Sequence, residues 1–600
     1  MISAGRPFVL LDDARAEGAA PARLFTDPAE IVVATTAAEI RPALERVRGA
    51  AARGLHAAGW IGYEAGLALE PRLAALPAPA ASGGLPLLWF GLFAQCRTPV
   101  SVPALLPDPA GAWAGPPRPR IDRAAYDAAF GRVARWIAAG DIYQANLSLR
   151  ADVPFAGDPL ALYARLRAAS GAGWGGIVSS GDHLLLSCSP ELFFALAAGR
   201  LEARPMKGTV PRDADPARDA AAAAALAGDA KQRAENLMIV DLLRNDLARV
   251  AAPGSVAVPA LFTVESYPTL HTLTSTVTAE LATGRDAVDV LAAIFPCGSV
   301  TGAPKIRAME VIAAVEPDGR GIYTGAIGAI APSGDAAFNV AIRTLAIGAA
   351  DAARGHGHAT IGLGSAVVAD STAEAEWREC LAKGAFVTAG ARAFDLIETM
   401  RFDPVEGVID LERHLARMKA SAEALGFAFD RHGARNELQA ATFHLRRPAR
   451  IRLLLGRSGA IAIETGALPA TPDGPAQVAI VPLPVSALDV RLRHKTSDRA
   501  FYDAARRAAG RFEVVFADGD GFLTEGSFTS LFVDRGGRLL TPPLSRGLLP
   551  GVLRARLLAD GRADEADLRA DDLAHGFLIG NALRGLMPAI CVAPADTAGL

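Results

Sequence analysis

The chain has 600 residues, of which 51% are hydrophobic and 21% are charged, and its formal net charge is -3. This composition is typical of globular domains and excludes a disordered chain. The small net charge, without a basic stripe or a zinc-finger spacing, argues against a nucleic-acid partner.

The N-terminus, MISAGRPFVLLDDARAEG, lacks a basic start followed by a long apolar run, so we expect neither a signal peptide nor a membrane anchor. No apolar stretch reaches the roughly 18–20 residues that span a bilayer. The five cysteines are scattered and form no CxxC pair, which predicts a reducing, cytoplasmic location without disulfides or structural zinc. One hydrophobic core does not extend over a chain of this length, so we expect roughly two to four domains.

The predicted elements of the first half point to antiparallel sheets. A Pro- and Gly-rich stretch near residues 110–120, PDPAGAWAGPPRPR, marks a subdomain break. Further on, ARDAAAAAALAGDA leads into the amphipathic helix QRAENLMIVDLLRNDL. The apolar runs HLLLSC, GIYTGAIGAIA, FNVAIRTLAIG and ATIGLGSAVVA are typical of strands. Because they follow closely without helices between them, we expect large antiparallel sheets rather than βαβ units.

The stretch RPMKGTVPR places a lysine, Lys207, in an unusual setting. Gly208 and Thr209 predict a tight turn between two extended runs, and Pro211 excludes a helix. The stretch alone leaves two alternatives open: a charge exposed to solvent, or an amine held in a pocket because a substrate requires it.

Several glutamates also lie within apolar stretches of the sequence. Glu191 lies in SPELFF and Glu235 lies in the predicted amphipathic helix. Glu376, Glu379 and Lys383 in AEAEWRECLAK are spaced i, i+3, i+7, so they share one helix face. Such a face is usually only solvated. Two helices that each offer a carboxylate could also hold one Mg²⁺ with its waters.

A new domain begins near residue 390. AEWRECLAKGAFVTA is typical of a closing helix, and the chain then restarts as strand, turn, strand and long helix. We predict domains at 1–388 and 393–600, the first divided into an N-terminal part, 1–115, and a core, 120–385, with a boundary error of about a few residues.

Motifs of the first domain occur in a fixed order: GDIYQANLSLR, SPELFF, PMKGTVPR, AENLMIVDLLRNDL, YPTLHTLTSTV, FPCGSVTGAPKIRAMEVI, GIYTGAIG, FNVAIRTL and GLGSAVVADS with AEWREC. Together they resemble the chorismate-utilising enzymes over residues 120–385, and more weakly over 1–110. The resemblance implies an α+β fold in which two large antiparallel sheets pack against each other, with helices outside and the active site between the sheets.

Within this family, the residue at the position of Lys207 differs between members that catalyse two different reactions. Members that make anthranilate typically carry alanine at this position, whereas those that make 4-amino-4-deoxychorismate carry lysine. The resemblance implies that Lys207 attacks C2 of chorismate as the C4 hydroxyl departs, and that ammonia then adds at C4. A free amine is required, so we expect a lowered pKa for Lys207. Glu191 resembles the general acid that protonates the leaving hydroxyl.

The resemblance also implies a metal site and a substrate grip. Glu235 and Glu379 resemble direct Mg²⁺ ligands, and Glu376 resembles a ligand acting through water. The implied substrate-binding residues are His271, Thr301, Tyr323, Arg343, the Gly364 backbone and Lys383. Two departures stand out: Gln232 replaces a helix carboxylate that anthranilate synthases often have, and Gln144 replaces the basic lysine of the water-adding relatives. The second argues against isochorismate or salicylate synthesis.

The source of ammonia lies outside the recognised motifs. No cysteine sits in a GxCxG-type elbow with a following His-Glu pair. The resemblance therefore implies a separate glutamine amidotransferase subunit that supplies ammonia.

The second domain carries its own ordered motifs: RHLARMKASAEALGF, RHKTSDRAFYD, TEGSFTSLFV, LLPGVLRARLL and IGNALRGLMPA. They resemble the fold-type IV pyridoxal-phosphate enzymes (aminotransferase class IV) over residues 393–595. The resemblance implies a two-subdomain α/β module, which in this family often forms homodimers.

The resemblance also implies the site residues of this module, from their positions in the matching motifs. Lys495 resembles the lysine that carries pyridoxal 5'-phosphate, and Glu525 the partner of the pyridinium nitrogen. Arg417 and the backbone amides of Val552 and Leu553, which open a helix, would hold the phosphate. Asn581 is expected to face the substrate. Asp498 departs from the asparagine common in the lyases.

Joined in one chain, the two modules predict a bifunctional enzyme that converts chorismate to 4-amino-4-deoxychorismate and then to 4-aminobenzoate for folate synthesis. One alternative is an anthranilate synthase fused to a class IV aminotransferase, against which Lys207 argues. Another is a regulatory subunit that binds chorismate or tryptophan at dead sites. The intact set of acidic and lysine residues argues against it.

Overall fold

A computed structural model describes residues 2–76, 84–267 and 270–595. The chain divides into two compact units. The first comprises Met1–Leu106, Ala114–Phe155 and Tyr163–Gly390, and the second comprises Pro107–Trp113, Ala156–Leu162 and Ala391–Leu600. Within the described residues, no helix is both long and apolar enough to cross a membrane.

The elements up to residue 390 are mostly strands. The strands are β1 (Phe8–Asp12), β2 (Arg23–Thr26), β3 (Glu30–Ala34), β4 (His56–Ile61), β5 (Leu88–Phe93), β6 (Ala112–Ala114), β7 (Arg118–Pro119), β8 (Gln144–Gly157), β9 (Gly175–Ser179), β10 (His183–Ser187), β11 (Leu192–Ala197), β12 (Arg200–Arg204), β13 (Met206–Pro211), β14 (Ala257–Ser266), β15 (Leu270–Glu280), β16 (Gly302–Ala303), β17 (Ala326–Ile330), β18 (Ala336–Val340), β19 (Thr344–Gly348) and β20 (His356–Val367). The helices are α1 (Ala37–Ala52), α2 (Ala65–Leu69), α3 (Val102–Leu105), α4 (Arg123–Ala138), α5 (Pro159–Ser170), α6 (Pro216–Gly228), α7 (Ala230–Ala248), α8 (Ala287–Ile294), α9 (Lys305–Val315), α10 (Ala349–Arg354) and α11 (Ala373–Gly384).

Two sheets form the first unit. Among the described residues, one sheet has ten strands with the main order β16-β8-β20-β19-β10-β9-β1-β2, and the other has ten with the main order β13-β15-β12-β11-β18-β17-β4-β5-β3. Neighbouring strands pair antiparallel, for example β1 with β9 and β4 with β17. The predicted α+β class with large antiparallel sheets is confirmed by this topology and by the fold relatives described below.

The sheets pack face to face through an apolar cluster. Val178 and Leu185 of the first sheet join Trp60 and Trp89 of the second in one buried group. The two indole rings stack with centroids 5.2 Å apart, which adds aromatic contact to the burial. Helices α1, α7 and α8 cover the second sheet through a further cluster that includes Leu44 of α1.

The structure refines two predicted elements. The alanine-rich stretch forms a helix of its own, α6, that ends before α7, because Gly228 disfavours the helical state and the Asp229 side chain caps α7 by accepting from the Gln232 amide at 2.9 Å. The run FNVAIRTLAIG is not one continuous strand. It divides into β18 and β19 around Arg343, whose φ of +50° ends the extended backbone.

The second unit contains a small and a large sheet. Its strands are β21 (Leu396–Asp403), β22 (Gly407–Val408), β23 (Ala449–Leu455), β24 (Ile461–Ala467), β25 (Ala476–Pro482), β26 (Glu513–Ala517), β27 (Leu523–Gly526), β28 (Ser530–Arg535), β29 (Arg538–Thr541), β30 (Ala563–Glu565), β31 (Phe577–Asn581) and β32 (Gly585–Cys591). Its helices are α12 (Leu411–Leu425), α13 (Arg431–Thr442), α14 (Val490–Arg493), α15 (Ala500–Ala509) and α16 (Val552–Ala559). Within the part of the chain that the structure describes, the small sheet has the order β22-β21-β23-β24 and the large one β27-β26-β25-β32-β31-β28-β29-β30. The large sheet contains parallel pairs such as β25 with β26, whereas the small sheet pairs β21, β22, β23 and β24 antiparallel, so the unit has two structurally different halves.

Candidate active sites

Lys207 lies on a strand rather than in the predicted tight turn. β13 pairs with β15, where Lys207 stands opposite Leu273 and Thr209 opposite Thr272, so Gly208 between them is a bulge. Gly208 has φ +80°, and a Cβ there would lie 2.6 Å from Gln232 Oε1 on α7. The glycine therefore permits both the left-handed backbone and the close approach of α7. The turn prediction is wrong because the extended runs on both sides of Gly208 belong to one strand.

The environment of Lys207 favours a free amine. Burial lowers the pKa of Lys207, and the nearby positive charge of Lys383 lowers this pKa further. The carboxylates of Glu235, Glu379 and Glu191 act in the opposite direction without reversing the shift. These groups therefore lie within electrostatic range of one amine, in a site built from β13, α7 and α11 and from the residue that precedes β11.

Glu191 is a buried carboxyl that holds its proton unusually well. It immediately precedes β11 and is 4% exposed, and its Oε1 accepts a hydrogen bond from Ser299 Oγ at 2.7 Å. Burial raises the pKa of Glu191 to about 7, although the Ser299 hydrogen bond and the Lys207 charge lower it. A carboxyl with this pKa is protonated in a large fraction of molecules at neutral pH, as a proton donor requires.

Acidic side chains of α7 and α11 lie near this pair. Burial raises the pKa of Glu235, and the negative charge of Glu379 raises this pKa further. Glu379 Oε1 is 2.7 Å from Lys383 Nζ, which also donates to the Gly364 carbonyl at 2.9 Å. Although burial raises the pKa of Glu379, Lys383 brings it below its ordinary value. The carboxylates of the two helices thus repel each other, and a lysine neutralises one of them.

Glu376 offers an oxygen for a cation. It is buried, its Oε1 accepts from Ser371 Oγ at 2.7 Å, and its Oε2 has no hydrogen-bond partner among the described residues. In the described part of the chain, no three His, Cys, Asp or Glu side chains stand close enough together to form a ready metal cluster. The orphaned oxygen and the repelling carboxylates nevertheless fit a hard divalent cation, because Mg²⁺ takes a few oxygen ligands and retains waters.

Three predicted substrate-binding positions are Tyr323, Arg343, which directly precedes β19, and Gly364, which lies on β20. Tyr323 is buried, and a Cβ at Gly364 would lie 2.7 Å from its hydroxyl, so the tyrosine requires glycine on the neighbouring strand. Arg343 holds a left-handed backbone that costs a non-glycine residue about 1–3 kcal/mol, a kind of strain that clusters at functional sites. Burial lowers the pKa of Arg343, consistent with a side chain directed inward.

Two other predicted positions are already engaged by the protein. His271 Nε2 is 2.9 Å from Asp219 Oδ1, and its Nδ1 is 2.7 Å from Ser266 Oγ. The buried Thr301 hydroxyl donates to the carbonyls of Cys297 and Gly298 at 3.2 and 3.1 Å. Since these contacts satisfy their polar atoms, the structure gives both residues a supporting position, and their substrate roles stay predictions.

The sequence analysis missed the residues that hold these groups in place. Ser299 and Ser371 donate hydrogen bonds to the buried carboxyl groups of Glu191 and Glu376. Neither serine belongs to a spacing pattern that would have predicted this contact. Arg320 is 2% exposed, contacts Glu316 through Nε at 2.9 Å and Nη2 at 2.7 Å, and donates to the Asn146 carbonyl at 2.6 Å. The charged run EPDGRG between two apolar segments is the one signal that could have indicated this buried ion pair.

A second lysine with a lowered pKa, Lys495, lies half-buried in the other unit. Lys495 follows α14, and its carbonyl accepts from the Ile397 amide at 2.9 Å, which ties it to β21. Burial lowers the pKa of Lys495 to about 7; Glu398 opposes this shift, and the charges of Arg417, Arg499 and Arg452 add to it. An uncharged amine is the form that condenses with a carbonyl group.

Glu525 stands on β27 at 6% exposure, and Tyr502 Oη donates to its Oε1 at 2.7 Å. Burial raises the pKa of Glu525 to about 7. A buried carboxyl of this kind suits a partner that is itself basic and can share the proton, such as a pyridine nitrogen.

Arg417 and the start of α16 meet at one point. Arg417 Nε and Nη2 donate to the two oxygens of Glu398 at 2.8 and 2.6 Å, and Nη1 donates to the Pro550 carbonyl at 3.0 Å. Pro550 lies just before α16, whose first amides are those of Val552 and Leu553. A guanidinium beside a helix N-terminus fits a phosphate group.

Asn581 is the last residue of β31, and its side chain hydrogen-bonds to the protein backbone. Its Oδ1 accepts from the amides of Leu583 and Arg584 at 3.0 and 2.9 Å, and its Nδ2 donates to the Phe528 carbonyl at 3.0 Å. Its substrate role stays a prediction. Asp498, the departure noted in the sequence, lies 3.4 Å from Arg491 and so belongs to an ion pair.

Lys495, Glu525, Arg417 and Leu553 line one cavity of about 560 Å³ within the second unit. A volume of this size accommodates a cofactor or a drug-sized ligand. The cavity-lining amine, the buried carboxyl and the phosphate-type anion site together fit pyridoxal 5'-phosphate.

Two family descriptions match separate parts of the chain. Residues 6–389 match the family described as chorismate binding enzyme, and residues 395–590 match amino-transferase class IV. The first match covers more than half of the chain, so the chain belongs to the chorismate binding enzyme family, as the motifs predicted.

Particular relatives fall into two kinds. Aminodeoxychorismate synthase component 1 of Salmonella typhimurium is 44% identical over 263 residues, which are 44% of this chain and 56% of the relative. Anthranilate synthase component 1 of Streptomyces coelicolor is 45% identical over 267 residues, which are 44% of this chain and 51% of the relative. The chain thus spans little more than half the length of these curated relatives, and overall identity does not separate the two activities.

The crystal structure of anthranilate synthase component I from Streptococcus pneumoniae has a TM-score of 0.53 and 24% identity to this chain, and the match covers 65% of this chain and 93% of that one. It supports the fold of the first unit.

Proposed function

We propose that this chain makes 4-aminobenzoate from chorismate in two steps, the first in the region 1–388 and the second in the region 393–600. The observation that carries the proposal is the half-buried Lys207 with its lowered pKa, placed within electrostatic range of the proton-bearing carboxyl of Glu191. Relatives named for aminodeoxychorismate synthesis and the class IV region support the same pair of steps.

In the first step, the neutral Lys207 amine forms a bond to C2 of chorismate while the bond from C4 to its hydroxyl breaks. Glu191 donates its proton to that hydroxyl, which leaves as water. Ammonia then forms a bond to C4 and the bond from C2 to Lys207 breaks, while Glu191 regains a proton from the incoming nitrogen. The sum is chorismate and ammonia giving 4-amino-4-deoxychorismate and water.

Glu235 and Glu379 would hold Mg²⁺ directly and Glu376 through water, and the ion would supply positive charge for the ring carboxylate of chorismate. Lys383, Tyr323, Arg343 and the Gly364 backbone would complete the grip on that carboxylate. His271 and Thr301 would line the site from behind.

The ammonia would come from a separate glutamine amidotransferase. Relatives of the first unit carry the name component 1, which points to a second component. We also expect a homodimer through the second unit, and a cytoplasmic location in keeping with cysteines that the structure leaves as free thiols.

The second step removes pyruvate from 4-amino-4-deoxychorismate. Pyridoxal 5'-phosphate, carried by Lys495, would accept electrons from the C4 position through the substrate nitrogen. The substrate amine would take the place of Lys495 on the cofactor, and the freed Lys495 amine would take the C4 proton. The bond from C3 to the ether oxygen breaks, and that oxygen leaves as the enol of pyruvate, with the proton returned by Lys495. Glu525 would keep the ring nitrogen protonated, and Arg417 with the Val552 and Leu553 amides would bind the phosphate.

The test supplies chorismate, ammonium, Mg²⁺ and pyridoxal phosphate to the purified chain and identifies the aromatic product by chromatography. A para-amino acid and one equivalent of pyruvate are expected. An ortho-amino acid would assign the first unit to anthranilate synthesis instead, and a colourless, inert protein would favour a regulatory subunit.

A further inference from the structure

The cavity of the second unit has a large excess of positive side chains. Its acidic lining residues are Asp503 and Glu525. Its basic lining residues are Lys495, Arg417, Arg450, Arg452, Arg499, Arg506, Arg511 and Arg584. The proposed phosphate position uses Arg417, which Glu398 already neutralises through two hydrogen bonds. The other arginines therefore present charge to a further anion.

Arg506 and Arg584 form what we call the Phe528 pair. Their guanidinium carbons lie 5.5 and 5.1 Å from the centroid of the Phe528 ring. The Nε atoms of both are buried and lack a hydrogen-bond partner among the described residues. A buried donor without an acceptor is costly, so this pair has unused capacity for ligand oxygens.

The acidic groups near the Phe528 pair leave this capacity open. Asp503, which is half exposed at its side chain, is 3.5 Å from Arg506 Nη2. Glu513 is buried, and its two oxygens accept from Ser527 and Thr529 side chains at 2.5 and 2.9 Å. Burial lowers the pKa of Arg584, and the charge of Arg506 lowers it further, while Glu513 opposes the shift. Two like charges are thus held near one another.

Arg452 and Arg499, which we call the Lys495-side pair, line the same cavity as Lys495, and both charges lower the pKa of Lys495. The Arg499 guanidinium carbon is 4.5 Å from the centroid of the Tyr502 ring, and its Nη2 donates to the Ser527 carbonyl at 2.5 Å. Arg452 stands on β23 opposite Thr399 of β21, with Glu464 3.7 Å away.

We infer that these two pairs bind two carboxylates of one substrate, so that the second unit selects a dianionic amine. The inference rests on the proposed function and names the residues that would set its specificity. In 4-amino-4-deoxychorismate the enolpyruvyl group is attached next to the amine-bearing carbon, whereas the ring carboxylate lies across the ring. The enolpyruvyl carboxylate therefore binds the Lys495-side pair, and the ring carboxylate binds the Phe528 pair.

The same charges disfavour an apolar amino acid as substrate. An apolar side chain in this cavity would leave the buried Nε atoms of Arg450, Arg506 and Arg584 without partners, and that desolvation cost acts against binding.

The test compares Arg506→Gln and Arg584→Gln with a matched control, Arg507→Gln. Arg507 follows Arg506 on α15 but is exposed and does not line the cavity. We expect each cavity variant to raise KM for 4-amino-4-deoxychorismate by about 10- to 100-fold, the range for losing a hydrogen bond to a charged group, with a smaller change in kcat. Arg584→Lys should recover part of the loss.

A binding readout accompanies the kinetics. Titration calorimetry measures affinity without turnover for two probes. One is 4-aminoisophthalate, a diacid amine with one carboxylate across the ring from the amine and one beside it, and the other is 2-aminobenzoate, a monoacid amine that keeps only the carboxylate beside the amine. The Gln variants should weaken only the diacid. Equal loss for both probes, or values equal to those of Arg507→Gln, would overturn the assignment.

The outcomes separate this inference from the proposed function. If the unaltered chain released no pyruvate from 4-amino-4-deoxychorismate but transferred the amine of glutamate, the lyase step would be refuted. Selective loss of diacid binding in the variants would still support the two-carboxylate site.

Discussion

Replacing Glu191 by glutamine is expected to stabilise the first unit at alkaline pH while it removes the first activity. The pKa of this buried carboxyl rises from 4.5 to about 7 on folding, chiefly through burial. Between these values the folded state binds more protons than the unfolded state, so unfolding free energy falls as pH rises. Two to three pKa units at about 1.4 kcal/mol each give a cost of about 3 kcal/mol, fully present above pH 7 and absent below pH 4.

Glutamine carries no charge, so Glu191→Gln should gain up to about 3 kcal/mol over the natural chain at pH 8 and almost nothing at pH 4.5. Urea unfolding followed by tryptophan fluorescence at the two pH values measures the difference. Trp60 and Trp89 of the first unit report on its core. Glu17→Gln, at an exposed position, is the control and should show no pH-dependent gain.

If Glu191→Gln changed stability equally at both pH values, the carboxyl would not hold its proton in the folded state. Its role as proton donor to the leaving hydroxyl would then fail, whatever the variant did to the activity.

Lys207→Ala should lower formation of 4-amino-4-deoxychorismate by at least about 1,000-fold, yet leave pyruvate release from added 4-amino-4-deoxychorismate unchanged. Lys495→Ala should show the converse, with the intermediate accumulating in a coupled assay; a loss of both activities in either variant would contradict separate sites. Gly208→Ala should destabilise the first unit by about 1–3 kcal/mol and slow its reaction, because the strained backbone and the contact with Gln232 displace Lys207. Gln232→Ala in the same chain should recover part of the rate, and no recovery would argue that the backbone alone is responsible. Removal of divalent ions by EDTA should abolish the first reaction alone, and unchanged turnover would exclude Glu235 as a metal ligand.

Local spacing was enough to predict that Glu376 and Glu379 share one helix. The roles of Lys207 and Lys495 came from the family resemblance instead, because a lone lysine in a short stretch is equally compatible with an exposed charge. The bulge at Gly208 was not predictable in this way. The bulge depends on the close approach of Gln232 from helix α7 and on the pairing of β13 with β15, which lies far along the chain. A glycine followed by threonine has the same local preferences in a turn and in a bulge.

The hydrogen-bond partners of the site residues could not be predicted from the sequence for a similar reason. Ser299 donates a hydrogen bond to Glu191, which lies 108 positions earlier in the sequence, and no local pattern around a serine predicts such a contact. The cavity arginines could have been found in part. Arg450 and Arg452 alternate along β23, and alternation places both on one face of a strand.

The presence of both compact units on one polypeptide fixes their numbers at one to one. Under the proposed function, the steady level of the intermediate then depends on the ratio of two turnover numbers and on substrate supply, not on how strongly two genes are expressed. Evolution could tune that ratio only by altering one catalytic rate against the other.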